Sequence, residues 1–247
     1  LPEEARARLN AAVAEYLASM NARQYDYASH YNLGNYFAER NELDKAIASY
    51  EMAVKLEPGI AAPLVNAALV FNRQGRNDEA EKALRKALAV DPRSAPAYFN
   101  LGLLLAELKR TGEAEAALRD AFKNDPLMAQ AAYNLGVMLV QQGKREGLDW
   151  CRKAWELRPS QSRYGFALAF YQLQMSNKAD AVQTLERMAA SRTADADAYG
   201  LLGRLYEQEE KPAKALGAYQ RALENLNLDE KRRAQFTARI EALSRQE

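Results

Sequence analysis

Four asparagines recur along the chain at intervals of 34 residues, at Asn32, Asn66, Asn100 and Asn134. A side-chain amide offers two N–H donors and a carbonyl acceptor, which match the C=O and N–H groups of an extended peptide. Amides repeated at a fixed interval can therefore hydrogen-bond the main chain of a partner without reading its side chains. This is the most specific chemistry that the residue types and their spacing suggest.

Residues that could support catalysis or metal binding are few. His30 is the only histidine and Cys151 the only cysteine. A histidine without a positioned nucleophile or carboxylate makes no catalytic set, and one cysteine excludes an intrachain disulfide and a cysteine-based metal site. The sequence contains no glycine-rich phosphate loop, H-E-x-x-H or G-x-S-x-G motif. We therefore expect no enzymatic activity, metal or organic cofactor, and we interpret His30 and Cys151 as packing residues.

The composition favours a folded chain that neither binds nucleic acid nor inserts into a membrane. Hydrophobic residues make up 48% of the 247 residues, enough for a substantial core. Lys and Arg number 34 against 33 Asp and Glu, so the chain lacks the excess of cations typical of phosphate binding. No apolar run approaches the roughly 20 residues that span a bilayer. The chain begins at Leu1 without a signal pattern, and we interpret it as a mature form or fragment of a soluble protein, cytoplasmic or periplasmic.

The elements that position the asparagines follow from an internal repeat. Small residues recur at intervals of 34, 34, 34, 33 and 34 residues, at Gly34, Ala68, Gly102, Gly136, Ala169 and Gly203. Each of these is followed eleven or twelve positions later by a second small residue, at Ala46, Ala80, Ala114, Gly147, Ala181 and Ala215. We expect two helices of a hairpin to cross at each such pair, where a larger side chain would force the backbones apart. Apolar residues at i and i+4 predict the helices themselves.

Prolines and turn residues punctuate the repeat. Four units end in proline, at Pro58, Pro92, Pro126 and Pro159. Turns inside four hairpins are predicted at Asn41, Gly75, Gly112 and Gly143. The fifth unit departs most from the pattern, because it has Gln172 at an aromatic position, Met188 at a small one and no closing proline.

This register resembles the tetratricopeptide repeat over six units, from about Tyr27 to Asp229. The resemblance implies an all-α, right-handed superhelical solenoid of antiparallel helix pairs, with about 14 helices and no strand. We predict a single domain over 1–247, with a half-repeat or capping helix over 1–26, six repeats over 27–229 and a C-terminal capping helix over 230–247. Ala12, Tyr16 and Ser19 fit the second helix of the half-repeat, and Asp229 is the predicted N-cap of the final helix.

In this family the first helix of each hairpin lines a concave groove, so the resemblance implies that the four asparagines point into it. The implied neighbours are aromatic or amide side chains, at Tyr31, Phe99, Tyr133 and Phe166, with Asn35 one turn further along the first helix. Amides flanked by aromatic side chains are typical of an interface core, where charges are depleted. Asparagine is common at this position of the motif, so the alternative that part of the ladder is unused stays open.

The sequence therefore favours a protein–protein interaction scaffold that binds an extended peptide or a partner helix in its groove. Two alternatives stay open. One is a self-assembly module that forms a homo-oligomer. The other is the C-terminal docking region of a larger multihaem cytochrome-like or secretion-related protein, because residues 131–159 and 163–174 resemble segments of some bacterial multihaem cytochrome-like exported proteins. The chain has no C-x-x-C-H haem motif of its own.

Overall fold

The computed structural model describes residues 2–22, 26–225 and 227–245, and in residues 16–22 and 225 the backbone alone. Within those ranges the secondary structure is helical, without a strand. In chain order the helices are α1 (Glu3–Ala22), α2 (Tyr27–Glu39), α3 (Leu43–Leu56), α4 (Ala62–Arg73), α5 (Asn77–Val90), α6 (Ala95–Glu107), α7 (Thr111–Asn124), α8 (Ala129–Gln141), α9 (Glu146–Leu157), α10 (Ser162–Gln174), α11 (Lys178–Ala190), α12 (Ala196–Gln208), α13 (Pro212–Asn225) and α14 (Glu230–Ser244). None of these described helices combines the length and apolar character needed to cross a membrane.

The chain divides into two compact units, Leu1–Asp125 and Pro126–Glu247. In the first unit, α2 packs on α3, α4 on α5 and α6 on α7, and each hairpin packs on the next. In the second unit, α8 packs on α9, α10 on α11 and α12 on α13, and α14 packs on α13. Connections of a few residues make the two helices of each pair antiparallel. The six predicted hairpins are confirmed.

The small residues lie where the two helices of a hairpin cross. A Cβ atom built on Gly102 of α6 would lie 2.8 Å from Cγ of Leu118 in α7. In the next hairpin, a Cβ atom on Gly136 would lie 2.8 Å from the backbone N of Cys151 and 2.9 Å from the carbonyl O of Gly147. Real Cβ atoms do not approach other atoms so closely, so these crossings require glycine and the predicted reason for the small residues is confirmed.

The closing prolines act through the residue before them. Four second helices, α3, α5, α7 and α9, end two residues before a proline. The intervening residue has left the helical conformation in each case, with ψ values between 69° and 93° at Glu57, Asp91, Asp125 and Arg158. Proline disfavours the helical conformation in its predecessor, which stops the helix there.

One predicted turn residue is wrong. Gly112 lies in the first turn of α7, and the backbone reverses earlier, at Lys109, which has a φ of 59°. Asn41, Gly75 and Gly143 occupy the equivalent positions with φ of 62°, 74° and 76°, and their prediction as turn residues is confirmed. The interval of 34 residues places the third turn at residue 109. The turn was predicted at Gly112 because glycine is common in turns, but the repeat interval indicates the correct residue.

Lys109→Gly is expected to raise the free energy of unfolding by about 0.5–1 kcal/mol. A residue with a side chain in the left-handed conformation costs about 1–2 kcal/mol, and the greater freedom of glycine in the unfolded chain offsets part of the gain. Urea unfolding followed by far-UV circular dichroism measures the change. The matched control is Ala116→Gly at an exposed position in the middle of α7, which should lower the free energy of unfolding by about 1 kcal/mol. A loss at both positions would contradict the prediction.

The departures of the fifth hairpin compensate one another. Gln172 is buried and accepts a hydrogen bond from Thr184 Oγ1, 2.9 Å away on the facing helix. Met188 fills a position that is small in the other units, and its Sδ atom would lie 2.7 Å from a Cβ atom built on Gly165. Glycine at 165 therefore makes the room that methionine at 188 occupies, which keeps the packed volume of the hairpin nearly constant.

The two ends of the chain differ in what the structure describes. At the C-terminal end, Asp229 caps α14 by accepting a hydrogen bond from the backbone N of Arg232 at 2.7 Å, as predicted. Phe236 of α14 is buried and stacks on Tyr219 of α13 with ring centroids 5.7 Å apart. At the other end, Ala12 is exposed on α1, and the side chains of Tyr16 and Ser19 lie outside the described residues. The predicted half-repeat stays a prediction.

Candidate functional site

The four asparagines lie on first helices, one each on α2, α4, α6 and α8, and we call the side of each helix that carries its asparagine the ladder face. Asn32, Asn66 and Asn100 belong to the first unit and Asn134 to the second. Asn32 is exposed and the other three are half-buried. In the first unit, Tyr31 and Asn66 line an open cavity of about 940 Å³, together with the turns that join successive hairpins.

Asn66 is the asparagine most engaged within the protein. Its Nδ2 atom donates to Asn35 Oδ1 at 2.8 Å and to Tyr31 Oη at 3.1 Å. Asn35 Oδ1 also accepts a hydrogen bond of 2.8 Å from Tyr50 Oη of α3. These bonds join α2, α3 and α4 on the ladder face, and they leave the Oδ1 atom of Asn66 as the group that can accept a bond from a ligand.

The other ladder amides bond to their own helices or face solvent. Asn100 Nδ2 donates to the carbonyl O of Pro96 at 2.9 Å, and Asn134 Nδ2 donates to that of Gln130 at 2.8 Å. Both bonds span four residues of one helix and lie at partly exposed positions, where a ligand can replace them at little cost. The structure therefore brings Asn35, Tyr31 and Asn66 together and leaves Asn100 and Asn134 oriented by their own helices.

The predicted aromatic neighbours are half-buried. Tyr31 stacks on Tyr27, with ring centroids 5.9 Å apart. In the second unit, Phe166 stacks on Phe170 at 6.4 Å, and Phe170 remains 42% exposed. Phe99 is likewise half-buried on α6. Each of these rings is thus partly exposed and can contact a ligand, and those of Tyr31 and Phe166 also stack on a neighbouring ring.

Tyr133 belongs to a cluster that sequence reasoning missed. Its ring lies 5.0 Å from that of Tyr164, and the guanidinium of Arg163 lies 5.4 Å from the Tyr133 ring and 4.8 Å from the Tyr164 ring. Arg163 also donates a hydrogen bond of 3.0 Å to Tyr164 Oη. The sequence did contain a feature that could have predicted the place of Arg163 in this cluster. Arg163 occupies the second position of its repeat, and in the family the side chain at that position points toward the groove.

The tyrosines of this face act as neutral hydrogen-bonding groups. Burial raises the pKa of Tyr50 to about 12, so its hydroxyl stays protonated and donates to Asn35. Burial also raises the pKa of Tyr133, and the positive charge of Arg163 offsets part of that effect. The ladder face therefore presents amides and phenol groups without ionised tyrosines at neutral pH.

Cys151 and His30 are the residues whose side chains could in principle react. Cys151 is fully buried at a hairpin crossing, and burial raises the pKa of its thiol to about 12, so it stays protonated and packs as an apolar residue. His30 is half-buried on α2. Among the residues that the structure describes, no group of three or more His, Cys, Asp or Glu side chains is placed to hold a metal ion.

Family models of the tetratricopeptide repeat match the chain over residues 27–59, 59–126, 110–161 and 166–230. No curated protein matches the chain by sequence. The resemblance to segments of multihaem cytochrome-like proteins is not addressed by these matches and stays a hypothesis.

Solved structures similar to this chain include a protein described as a tetratricopeptide repeat protein. YrrB, described as a TPR protein with an unusual peptide-binding site, is 21% identical with a TM-score of 0.56, covering 74% of this chain and 95% of YrrB. PilF of Pseudomonas aeruginosa is 24% identical with a TM-score of 0.64, covering 86% and 96%. MamA of Desulfovibrio magneticus is 21% identical with a TM-score of 0.56, covering 68% and 97%. At these identities the likeness establishes an all-α repeat fold.

Proposed function

We propose that this chain, which belongs to the tetratricopeptide repeat family, is a non-catalytic scaffold that binds an extended segment of a partner protein on its ladder face. The observation that carries the proposal is the recurrence of asparagine at one position of four successive first helices, at the interval of the repeat itself. The similarity to YrrB, whose description includes a peptide-binding site, supports it at the level of the fold.

The amides supply the hydrogen bonds. Asn100 and Asn134 each donate to a carbonyl of their own helix, so a small rotation of the side chain brings both the donor and the acceptor to a ligand. Asn32 is exposed and free to reorient. Asn66 offers Oδ1 in a fixed orientation, since both hydrogens of its Nδ2 atom are already used. Such groups recognise the peptide main chain, which every sequence shares.

The surroundings supply apolar contact and little charge. In the first four hairpins the second, fifth, sixth and ninth positions of the first helix carry no charged residue. The rings at Tyr31, Phe99 and Tyr133 are half-buried, and those of Tyr31 and Tyr133 also contact neighbouring rings, which restricts their motion before a ligand binds. Aromatic side chains that lose little freedom on binding are the usual anchors of an interface. The cavity of about 940 Å³ beside Tyr31 and Asn66 gives a partner side chain room to enter.

The experiment is a pull-down from lysate with the wild-type chain and with a variant in which all four ladder asparagines are alanine. The expected result is that the variant loses the partners that the wild type recovers, while both chains have equal helicity. A matched control replaces exposed amides on second helices, with Asn124→Ala, Gln183→Ala and Gln220→Ala. If the ladder variant and the wild type recover the same partners equally, the binding surface lies elsewhere and the proposal is wrong.

A further inference from the structure

A second surface, on another side of α4 from Asn66, forms a groove between α3 and α5. Its floor is apolar and includes Leu64, Ala67 and Phe71 of α4, which are one helical stripe by their spacing of three and four residues. The groove encloses about 640 Å³. This volume is within the range of about 300–1,000 Å³ typical of sites that hold a ligand of substantial size.

Three lysines rim this groove. Lys55 stands on α3, and Lys82 and Lys86 stand one turn apart on α5. All three are exposed, and none forms a salt bridge with a residue that the structure describes. Glu51 is the one acidic side chain among the described residues that line the groove. The rim therefore carries a local excess of positive charge, although the whole chain has a net charge of only +1.

The lysine rim is a property of this hairpin. A groove also lies over Tyr199, Leu202 and Tyr206 of α12, the equivalents of its floor residues, but Gly217 stands there at the position of Lys82. One repeat further along, the positions of Lys82 and Lys86 are taken by Ala116 and Asp120. The floor differs in the same way, because Leu101 stands at the position of Ala67. The groove over Ala67 is also the larger of the two, about 640 Å³ against about 430 Å³ over Leu202, and the lysines lie beside the larger one.

We propose that this lysine-rimmed groove binds an acidic amphipathic helix of a partner protein. The apolar side chains of the partner helix would pack on the floor of the groove, and its carboxylates would lie beside Lys82 and Lys86. Lysines one helical turn apart match carboxylates at i and i+4 of a helix lying alongside α5. In helix-in-groove recognition, an amphipathic helix packs its apolar face into a hydrophobic groove, and an apolar floor flanked by two helices has that shape. Three separate cations match a ligand with several carboxylates better than a lipid with one.

The test uses two fluorescent peptides of about 14 residues, near the length at which an isolated helix begins to be stable. Both carry leucine in an i, i+3, i+7 pattern; one has glutamate on the flanks and the other has lysine there. Fluorescence anisotropy with the full chain should show micromolar binding of the acidic peptide and at least about tenfold weaker binding of the basic one. Added salt should weaken the binding of the acidic peptide.

Two variants assign the binding to the groove. Lys82→Glu with Lys86→Glu should reverse the preference between the two peptides, whereas Lys123→Glu with Arg233→Glu, at exposed sites elsewhere, should leave it unchanged. Ala67→Leu fills the floor with the residue that stands one repeat further along, so the helicity should be kept. It should weaken binding of the acidic peptide by about tenfold or more.

Several results would overturn this proposal. One is that the acidic peptide does not bind with micromolar affinity, and another is that the two peptides bind equally. A third is that the Ala67→Leu variant binds the acidic peptide as tightly as the wild type does. Binding of dodecanoate in place of the peptide would assign the groove to a small anionic amphiphile instead. The variant with alanine at all four ladder asparagines should bind the acidic peptide as the wild type does, and a loss there would place the peptide on the ladder face. The outcome is thus independent of the function proposed for that face.

Discussion

Gly102→Leu is expected to lower the free energy of unfolding by about 1–3 kcal/mol or more, the usual cost of forcing a larger side chain into a packed crossing. A Cβ atom at this position would already lie 2.8 Å from Leu118 Cγ and 3.3 Å from the carbonyl O of Ala114. The remaining leucine atoms have no space between α6 and α7. The two helices must separate, and each then loses contacts along its buried face.

Asn100→Ala, two residues away on the same helix, should change the free energy of unfolding by less than about 0.5 kcal/mol. The Asn100 side chain is half-buried and donates a hydrogen bond to the carbonyl O of Pro96 in its own helix. Water can replace that bond, and alanine has the higher helix propensity. The two substitutions therefore separate the packed face of α6 from its ladder face.

Urea unfolding of both variants measures the difference, with Gly112→Leu as the matched control. Gly112 lies in the first turn of α7, and a Cβ atom there would meet no other atom within 4 Å. Leucine is a better helix former than glycine, so this control should be neutral or stabilising. Comparable losses in Gly102→Leu and Asn100→Ala would mean that the packed and ladder faces are wrongly assigned. A comparable loss in Gly112→Leu would mean that the crossing at Gly102 is not the cause.

The hairpins could be predicted from the sequence because their constraints are local and recur in register. A glycine such as Gly136 is required by the helix that crosses it about a dozen residues later, and a proline such as Pro92 stops a helix whatever surrounds it. The turn at Lys109 shows where the inference from residue type fails. Any residue can adopt a left-handed turn if the hairpin around it supplies the energy, so the register was a better guide than the glycine at 112.

The hydrogen bonding of the ladder could not be predicted in the same way. Asn66 bonds to Asn35, which is 31 residues earlier, and Asn35 bonds to Tyr50 on a third helix. Which amides pair within the face depends on side-chain rotamers and on the distance between neighbouring hairpins, and neither is encoded in spacing alone. For this reason four asparagines that look equivalent in the sequence have three different environments in the structure.

Alanine at all four ladder asparagines should weaken the binding of a peptide partner by about 2–6 kcal/mol, or roughly thirtyfold to twenty-thousandfold in Kd. This counts one hydrogen bond from each amide to the main chain of the partner, worth about 0.5–1.5 kcal/mol apiece after exchange with water. The aromatic anchors add to this effect, so Phe99→Ala and Tyr133→Ala should each weaken binding by about 1–2 kcal/mol or more.

The environments of the four amides make their contributions separable. Asn66→Ala removes the donor that Asn35 and Tyr31 share, so it disturbs the ladder face of the first unit in addition to removing Oδ1. The triple variant with alanine at Asn32, Asn100 and Asn134 leaves that network intact. It should weaken binding by about 1.5–4.5 kcal/mol, and its thermal melting should match the wild type.

Isothermal titration calorimetry with a synthetic peptide from a partner recovered in the pull-down measures these effects, and Asn124→Ala on α7 is the control for loss of an exposed amide. Binding should change little between low and high salt. The reason is that the second, fifth, sixth and ninth positions of the first helices carry no charged residue in the first four hairpins. This separates the ladder face from the lysine-rimmed groove, where salt should matter. If the triple variant binds as the wild type does while Asn66→Ala loses affinity, the asparagine network of the first unit holds the partner and the repeated ladder does not. A steep salt dependence would place the partner on a charged surface instead.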